Sequence, residues 1–209
     1  MIILLKEMIK AVIFDLDGTL TRPFLDFKQI RTEIGLPLDR SSLLEEIQKM
    51  PPEEAQRALA ILERHEEAAV VNAEENEGVS ALLDYLEERG IACAVVTRNS
   101  ARSTFKVIEK LNLRIERVIT RDSGFALKPS PQALEALIKE WGVSPSQVLM
   151  VGDFRYDIQA GKAAGTWTCL VTNGREVKED GGPHFKVAAP GEVIKVLEAL
   201  ARKEKKSRE

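Results

Sequence analysis

Runs of β-forming apolar residues alternate along this chain with segments in which apolar residues recur every three or four positions. Strands are predicted near 10–15, 91–97, 115–119, 147–152 and 167–171, and helices over 101–112, 130–141, 155–165 and 190–203. In the second of these helices Leu134, Leu137, Ile138 and Trp141 share one side. Val12-Ile13-Phe14 and Val148-Leu149-Met150-Val151 carry no polar alternation, as expected of strands covered on both faces. Strand–helix alternation of this kind predicts an α/β fold: a parallel sheet with right-handed crossovers and helices on both faces.

The alternation fails once. Residues 21–90, between the first and second strands, are almost wholly helical in pattern. Phe27, Ile30 and Ile34 share one face, and Leu43, Leu44 and Ile47 another. Pro51-Pro52-Glu53-Glu54 opens a long helix, with proline and acids where a helix start favours them. Ala55, Leu59, Leu62, Ala69 and Val70 form its apolar stripe, and Glu63, Glu66, Glu67, Glu74 and Glu75 read as its solvated side. Gly78 begins a crossover helix carrying Leu82, Leu83 and Leu86 that ends near Gly90. One crossover needs far fewer residues than this. Residues 21–77 are therefore predicted to form a small all-helical cap inserted after the first strand, leaving 1–20 and 78–209 as the core domain. Placed there, the cap would cover the carboxyl edge of the sheet like a lid; a helical decoration packed on one face is the alternative.

Composition narrows the function classes. With 209 residues, 44% hydrophobic and 30% charged, the chain fits one domain or one domain with an insertion. A net charge of −3 gives no electrostatic case for nucleic acid, and Lys203, Lys205, Lys206 and Arg208 read as a solvated helix end. No run approaches membrane-spanning length, and Met1-Ile2-Ile3-Leu4-Leu5 is broken by Lys6, Glu7 and Lys10 too soon for a secretion signal. Cys93 and Cys169 lie in predicted strands without metal spacing, as free thiols of a reducing cytoplasm would.

Candidate chemistry gathers at the strand ends, where an α/β sheet places its ligands. The first strand stops in Asp15-Leu16-Asp17-Gly18-Thr19. Two carboxylates that close bind a hard cation, attack an electrophile or pass a proton; a turn cap before Gly18 is the plainer reading. The second strand ends in Thr97-Arg98-Asn99-Ser100 as a helix begins, donors that suit a phosphate and equally a helix cap. Lys128, beside Pro129, suits a phosphoryl charge or a solvated loop. The fourth strand ends in Gly152-Asp153, with Asp157 four residues on and on the same side. Asp153 suits a direct Mg²⁺ contact, and Asp157 the metal or its waters; capping explains Asp153 but not Asp157. Arg22, Lys28, Arg64 and Arg98 are candidates to meet an acidic substrate, with solvated surface roles the simpler reading, and His65 and His184 read as incidental.

Phe14-Asp15-Leu16-Asp17-Gly18-Thr19-Leu20, Thr97, Lys128-Pro129 and Gly152-Asp153 with Asp157 together resemble the haloacid dehalogenase superfamily of phosphohydrolases, over nearly the whole length. The stretch Gly152-Asp153-Phe154-Arg155-Tyr156-Asp157-Ile158-Gln159-Ala160-Gly161, on to Ala164-Gly165, is similar to its phosphoglycolate-phosphatase-like branch, whose members carry a helical cap between the first two motifs. The resemblance implies a Rossmann-like core with the first strand central, between those ending at Thr97 and Asp153, which also keeps Cys93 and Cys169 apart. It implies a Mg²⁺-dependent phosphomonoester hydrolase acting on a small phosphorylated metabolite. Asp15 would be the nucleophile that forms an aspartyl-phosphate, and Asp17 the acid and then the base. Thr97, Lys128 and backbone amides after Asp15 would steady the phosphoryl oxygens, with Arg98 and Asn99 also on the substrate. Asp15, Asp17 through its carbonyl, Asp153 and Asp157 would hold the metal. Asp17 separates the superfamily's phosphatases from its pumps and dehalogenases. A phosphosugar mutase would use the same groups, and a catalytically silent binding protein the same fold. The expected partners are the metabolite, and neither nucleic acid nor membrane, for a monomer or homodimer. Thr21-Arg22-Pro23-Phe24 and Arg98 depart from the commoner Val-Asp-Ser and small-or-amide residue, in loops that face the pocket.

Overall fold

The computed structural model describes residues 9–39, 42–177 and 181–206, the last four by their backbone only. Met1–Leu5 and the side chains of the C-terminal basic cluster lie outside the described residues. Six strands form one parallel sheet: β1 (Ala11–Phe14), β2 (Ala92–Val96), β3 (Arg117–Ile119), β4 (Val148–Gly152), β5 (Trp167–Val171) and β6 (Phe185–Val187). Their order is β3-β2-β1-β4-β5-β6, so β1 is central, between β2 and β4. The sixth strand escaped the sequence reading because Phe185-Lys186-Val187 is too short to display a period. It pairs with β5 from Cys169 to Val171, and just before it His184 Nδ1 accepts the Thr168 N–H (3.2 Å). Cys93 and Cys169 sit on β2 and β5 as free thiols.

The period of two along each strand sorts the core into layers. Val12, Phe14, Val95, Leu149, Val151 and Cys169 point to one face, against α4 (Val79–Glu88), α5 (Ala101–Lys110) and α8 (Val193–Lys206). Ala11, Ile13, Ala94, Val96, Val148 and Met150 point to the other, against α6 (Gln132–Trp141) and α7 (Arg155–Ala163). Burying both faces is what permits the unbroken apolar runs of β1 and β4.

Between β1 and α4 stand α1 (Phe27–Ile34), α2 (Leu43–Gln48) and α3 (Pro52–Asn72). They share an apolar cluster of Ile30, Leu43, Leu44, Ile47, Ala58 and Leu62, apart from the two sheet layers. Pro51 and Pro52 with Glu53 and Glu54 start α3 as expected. Two readings of these helices need correction. Phe27 is half exposed and does not share the buried face of Ile30. The fully buried positions of α3 are Ala58, Leu62 and Glu66, so Glu66 belongs to the inner side and not to the wet one.

Candidate active site

Because β1 is paired to both neighbours with Phe14 level with Val95 and Val151, the chain leaves all three strands at nearly one height. Asp15 emerges there, its N–H still donating to the Val151 carbonyl (2.9 Å). Lys128 arrives from the loop before α6, with a cis bond to Pro129, and is 3% exposed. Its Nζ lies 2.6 Å from Asp15 Oδ1, 2.6 Å from Asp157 Oδ1 and 2.6 Å from the Val96 carbonyl. Lys128 is thus a fixed cation bridging two acids, and not a solvated loop residue.

Asp153 completes the cluster: one carboxylate oxygen each from Asp15, Asp153 and Asp157 fall within 4.8 Å of one another. Two glycines make room for it. A Cβ on Gly18, whose φ is +77°, would land inside the Asp153 carboxylate, and a Cβ on Gly152 inside that of Asp157. Asp157 Oδ2 accepts the Phe154 N–H (3.1 Å), which turns the side chain back over Gly152. Asp17 lies outside this trio; its Oδ1 accepts the Phe24 N–H (3.1 Å) at the start of the α1 approach.

Electrostatics separates the two aspartates of the first motif. Burial lifts Asp17 to about 8, helped by the charges of Asp15 and Asp153 and opposed by the Phe24 N–H. Burial also lifts Asp15, but the Lys128 charge pulls it back and leaves it at about 6. Asp153 rises to about 7, chiefly through burial, with the charges of Asp15 and Asp157 adding to the rise and Arg175 opposing it. Burial pulls Lys128 down, but the charges of Asp15 and Asp157 outweigh it and hold the ammonium above its usual range.

Thr97, Arg98, Asn99 and Lys128 all line the same end of the sheet. Thr97 is buried, and its Oγ1 accepts the Asn99 N–H (3.2 Å). The start of α5 differs from the phosphate cradle expected of it. The Ser100 N–H is taken by Glu66 Oε2 (3.1 Å) and the Ala101 N–H by Asp122 Oδ2 (2.6 Å). Arg98 is half-buried, donating to the Lys128 carbonyl (2.9 Å) and to Ser42 Oγ (2.6 Å). Arg22 and Arg64 are instead exposed and pair with Glu74 and Glu33, Lys28 is exposed, and His65 also meets Glu33.

Several supporting residues went unread in the sequence. Asn76 and Asn173 hydrogen-bond to each other (2.9 Å) and clamp the loop after Asp17, through the Thr19 and Gly18 carbonyls. Arg175 Nη2 lies 2.8 Å from Asp153 Oδ2. Asn173-Gly174 after β5 is a fifth strand-end turn, and the rule that led to the other four pointed here too. Glu66 and Arg121 pair at 2.7 Å behind the Thr97–Ser100 loop, where Arg121 also donates to the Arg98 carbonyl (3.1 Å).

Known proteins resemble this chain in sequence and in fold. Residues 9–165 match the family profile of haloacid dehalogenase-like hydrolases. The chain is 30% identical to an N-acetylmuramic acid 6-phosphate phosphatase of Pseudomonas aeruginosa, over 93% of this chain and 97% of that one. It is 31% identical to a phosphoglycolate phosphatase of Pseudomonas savastanoi, over 82% and 74% of the two. Its fold superimposes on the crystal structure of a hydrolase from Pseudomonas syringae with a TM-score of 0.78, at 20% identity, covering 91% of this chain and 98% of the other. The strand-end acids, the central β1 and these likenesses lead to one conclusion: the chain belongs to the haloacid dehalogenase-like hydrolases, as a phosphatase of the phosphoglycolate-phosphatase-like branch.

Proposed function

We propose that the protein is a Mg²⁺-dependent phosphomonoester hydrolase that works on a small phosphorylated metabolite through an aspartyl-phosphate. The observation that carries this reading is the meeting of Asp15, Lys128, Asp153 and Asp157 at one sheet end, with Asp17 beside them and held apart in proton affinity. Near neutral pH an acid at about 6 is largely ionised and one at about 8 keeps its proton, which suits a nucleophile paired with a general acid.

The chain's own residues then divide the work. An Asp15 oxygen attacks phosphorus in line, and the bond from phosphorus to the ester oxygen breaks. Asp17 gives its proton to the departing oxygen. In the second step Asp17 takes a proton from water, the water oxygen bonds to phosphorus, and Asp15 leaves as carboxylate with inorganic phosphate released. Lys128 and the Thr97 hydroxyl offset charge on the phosphoryl oxygens, with Arg98 and Asn99 bordering the substrate. Residues 21–77 act as the cap over this end of the sheet.

The donor set suits a small hard cation: three carboxylate oxygens, clustered, in space that glycines at 18 and 152 keep open. Asp15, Asp153 and the Asp17 carbonyl would hold Mg²⁺, with Asp157 supporting. When bound, Mg²⁺ supplies positive charge that keeps Asp15 ionised and neutralises the phosphoryl group.

Phosphate release from p-nitrophenyl phosphate tests the assignment. Asp15→Asn should lower it by about 10³-fold or more with an unchanged circular-dichroism spectrum. EDTA should abolish the wild-type rate and MgCl₂ restore it. Half-maximal activity in Asp15→Asn, or full activity in chelator, would overturn the mechanism. A hexose phosphate isomerised with no phosphate released would instead indicate a mutase.

A further inference from the structure

Two well-buried arginines among the described residues are matched to acids. Arg31 meets Asp39 (2.9 Å) and Glu46 (2.7 Å), and Arg121 meets Glu66 (2.7 Å) and Glu63 (3.6 Å). Arg98 breaks this pattern. It is half-buried, yet among the described residues no carboxylate stands within 4.0 Å of its guanidinium. Its partners are neutral: the Lys128 carbonyl on Nη1, Ser42 Oγ on Nη2, and the Tyr156 ring, whose centroid lies 4.9 Å from the guanidinium carbon. A cation withdrawn from water without an anion is costly, and hydrogen bonds to neutral groups repay only part of that cost. Burial accordingly pulls its proton affinity below the usual arginine range, against the more distant charges of Glu45, Tyr156, Asp157 and Asp15.

The position says which anion is missing. The transferring phosphoryl group already has Lys128 Nζ beside Asp15. Arg98 reaches from the loop after β2 past the Lys128 backbone to Ser42, the residue before α2, so its fork lies between the acidic cluster and the helical insertion. In-line displacement by Asp15 sends the leaving group away from that carboxylate, toward the insertion. Resting on the hydrolase reading above, we propose that Arg98 receives a second anionic group on the leaving-group side, so that the substrates are small phosphomonoesters carrying a carboxylate or another phosphate a few bonds from the phosphoryl group. Guanidinium is suited to either, because its donors match both oxyanions in pairs. Tyr156 supports the guanidinium from its face, and Arg121 holds the Arg98 carbonyl, so the fork is oriented before substrate arrives.

Titration calorimetry in MgCl₂ buffer with phosphonoacetate, methylenediphosphonate and methylphosphonate tests this without turnover. Wild type should bind one or both of the doubly anionic ligands about 10–100-fold more tightly than methylphosphonate, the range set by a charge-assisted hydrogen-bonded pair. Which of the two is preferred identifies carboxylate or phosphate. Arg98→Gln should reduce that advantage to less than about threefold, and Arg98→Lys should retain part of it. The kcat/KM ratio for 3-phosphoglycerate over glycerol 3-phosphate, which differ at the second anion, should fall in step. Equal affinity of wild type for all three ligands would overturn the proposal, as would an Arg98→Gln loss that is the same for each. If Arg98→Gln does not fold, the wild-type series and Arg98→Lys decide. Preferential binding without hydrolysis of either ester would uphold the anion site and overturn the hydrolase reading; hydrolysis without preference would do the reverse.

Discussion

Asp153 and Asp157 were legible from a spacing of four, and Gly152 as the glycine before them, but the close approach of Asp157 to that glycine was not. Gly152 matters because the Asp157 carboxylate, drawn back by the Phe154 N–H, occupies the space a Cβ would need. Gly152→Ala should therefore cost about 1–3 kcal/mol, as overpacking does, with activity lost alongside. Urea unfolding checks the first and phosphate release the second; a variant with wild-type stability and rate would show that Asp157 is free to move. Lys128 shows what spacing leaves open. Along the chain it suits a phosphoryl charge or a solvated loop equally, and its contacts with Asp15, Asp157 and the Val96 carbonyl make it a buried cation.

Helix α3 illustrates how an amphipathic pattern misleads when a polar residue is the one buried. Its period is helical, so Glu66 sorted with the wet side, yet it is 1% exposed and receives Arg121, the Ser100 N–H and the Ser103 hydroxyl. Nothing local marks it, since each partner lies 34 residues or more away. Glu67 with Arg102, and Lys110 on the Val70 and Val71 carbonyls, extend the same seam between α3 and α5. Glu66→Ala leaves Arg121 withdrawn from water without its main partner and should destabilise the protein by about 3–5 kcal/mol, with Glu66→Gln costing less. Removing Arg121 as well should recover part of the loss in a double-mutant cycle followed by urea. Strictly additive losses would show that the two do not act as a pair.

Across the molecule, the acidic cluster sets folding against charge. Burial raises Asp15 to about 6, Asp153 to about 7 and Asp17 to about 8. A folded chain in EDTA then keeps protons that the unfolded chain has released above about pH 4. Its stability is fully present below that pH and declines as pH rises through about 6 to 8. Cation binding favours the ionised acids, so Mg²⁺ should stabilise more at pH 8 than at pH 5. At a hundred times its Kd the gain is about 2.7 kcal/mol, or roughly 5–10 °C in Tm for a chain of this size. Differential scanning fluorimetry at the two pH values checks this. Equal Mg²⁺ shifts at both would contradict proton–metal competition.

Periodicity, strand-end acids and turn residues are local, so five of the six strands, the α/β class and the motif residues could be read along the chain. Proximity is not local. That Arg98 lies against Lys128 and Ser42, that Glu66 lies under Ser100, and that Asn76 meets Asn173 across 97 positions follows from where the β1 to β5 crossovers bring distant loops. Spacing in sequence records which side of a helix or strand a residue occupies, whereas burial and charge balance depend on what packs against that side, and folding alone settles that.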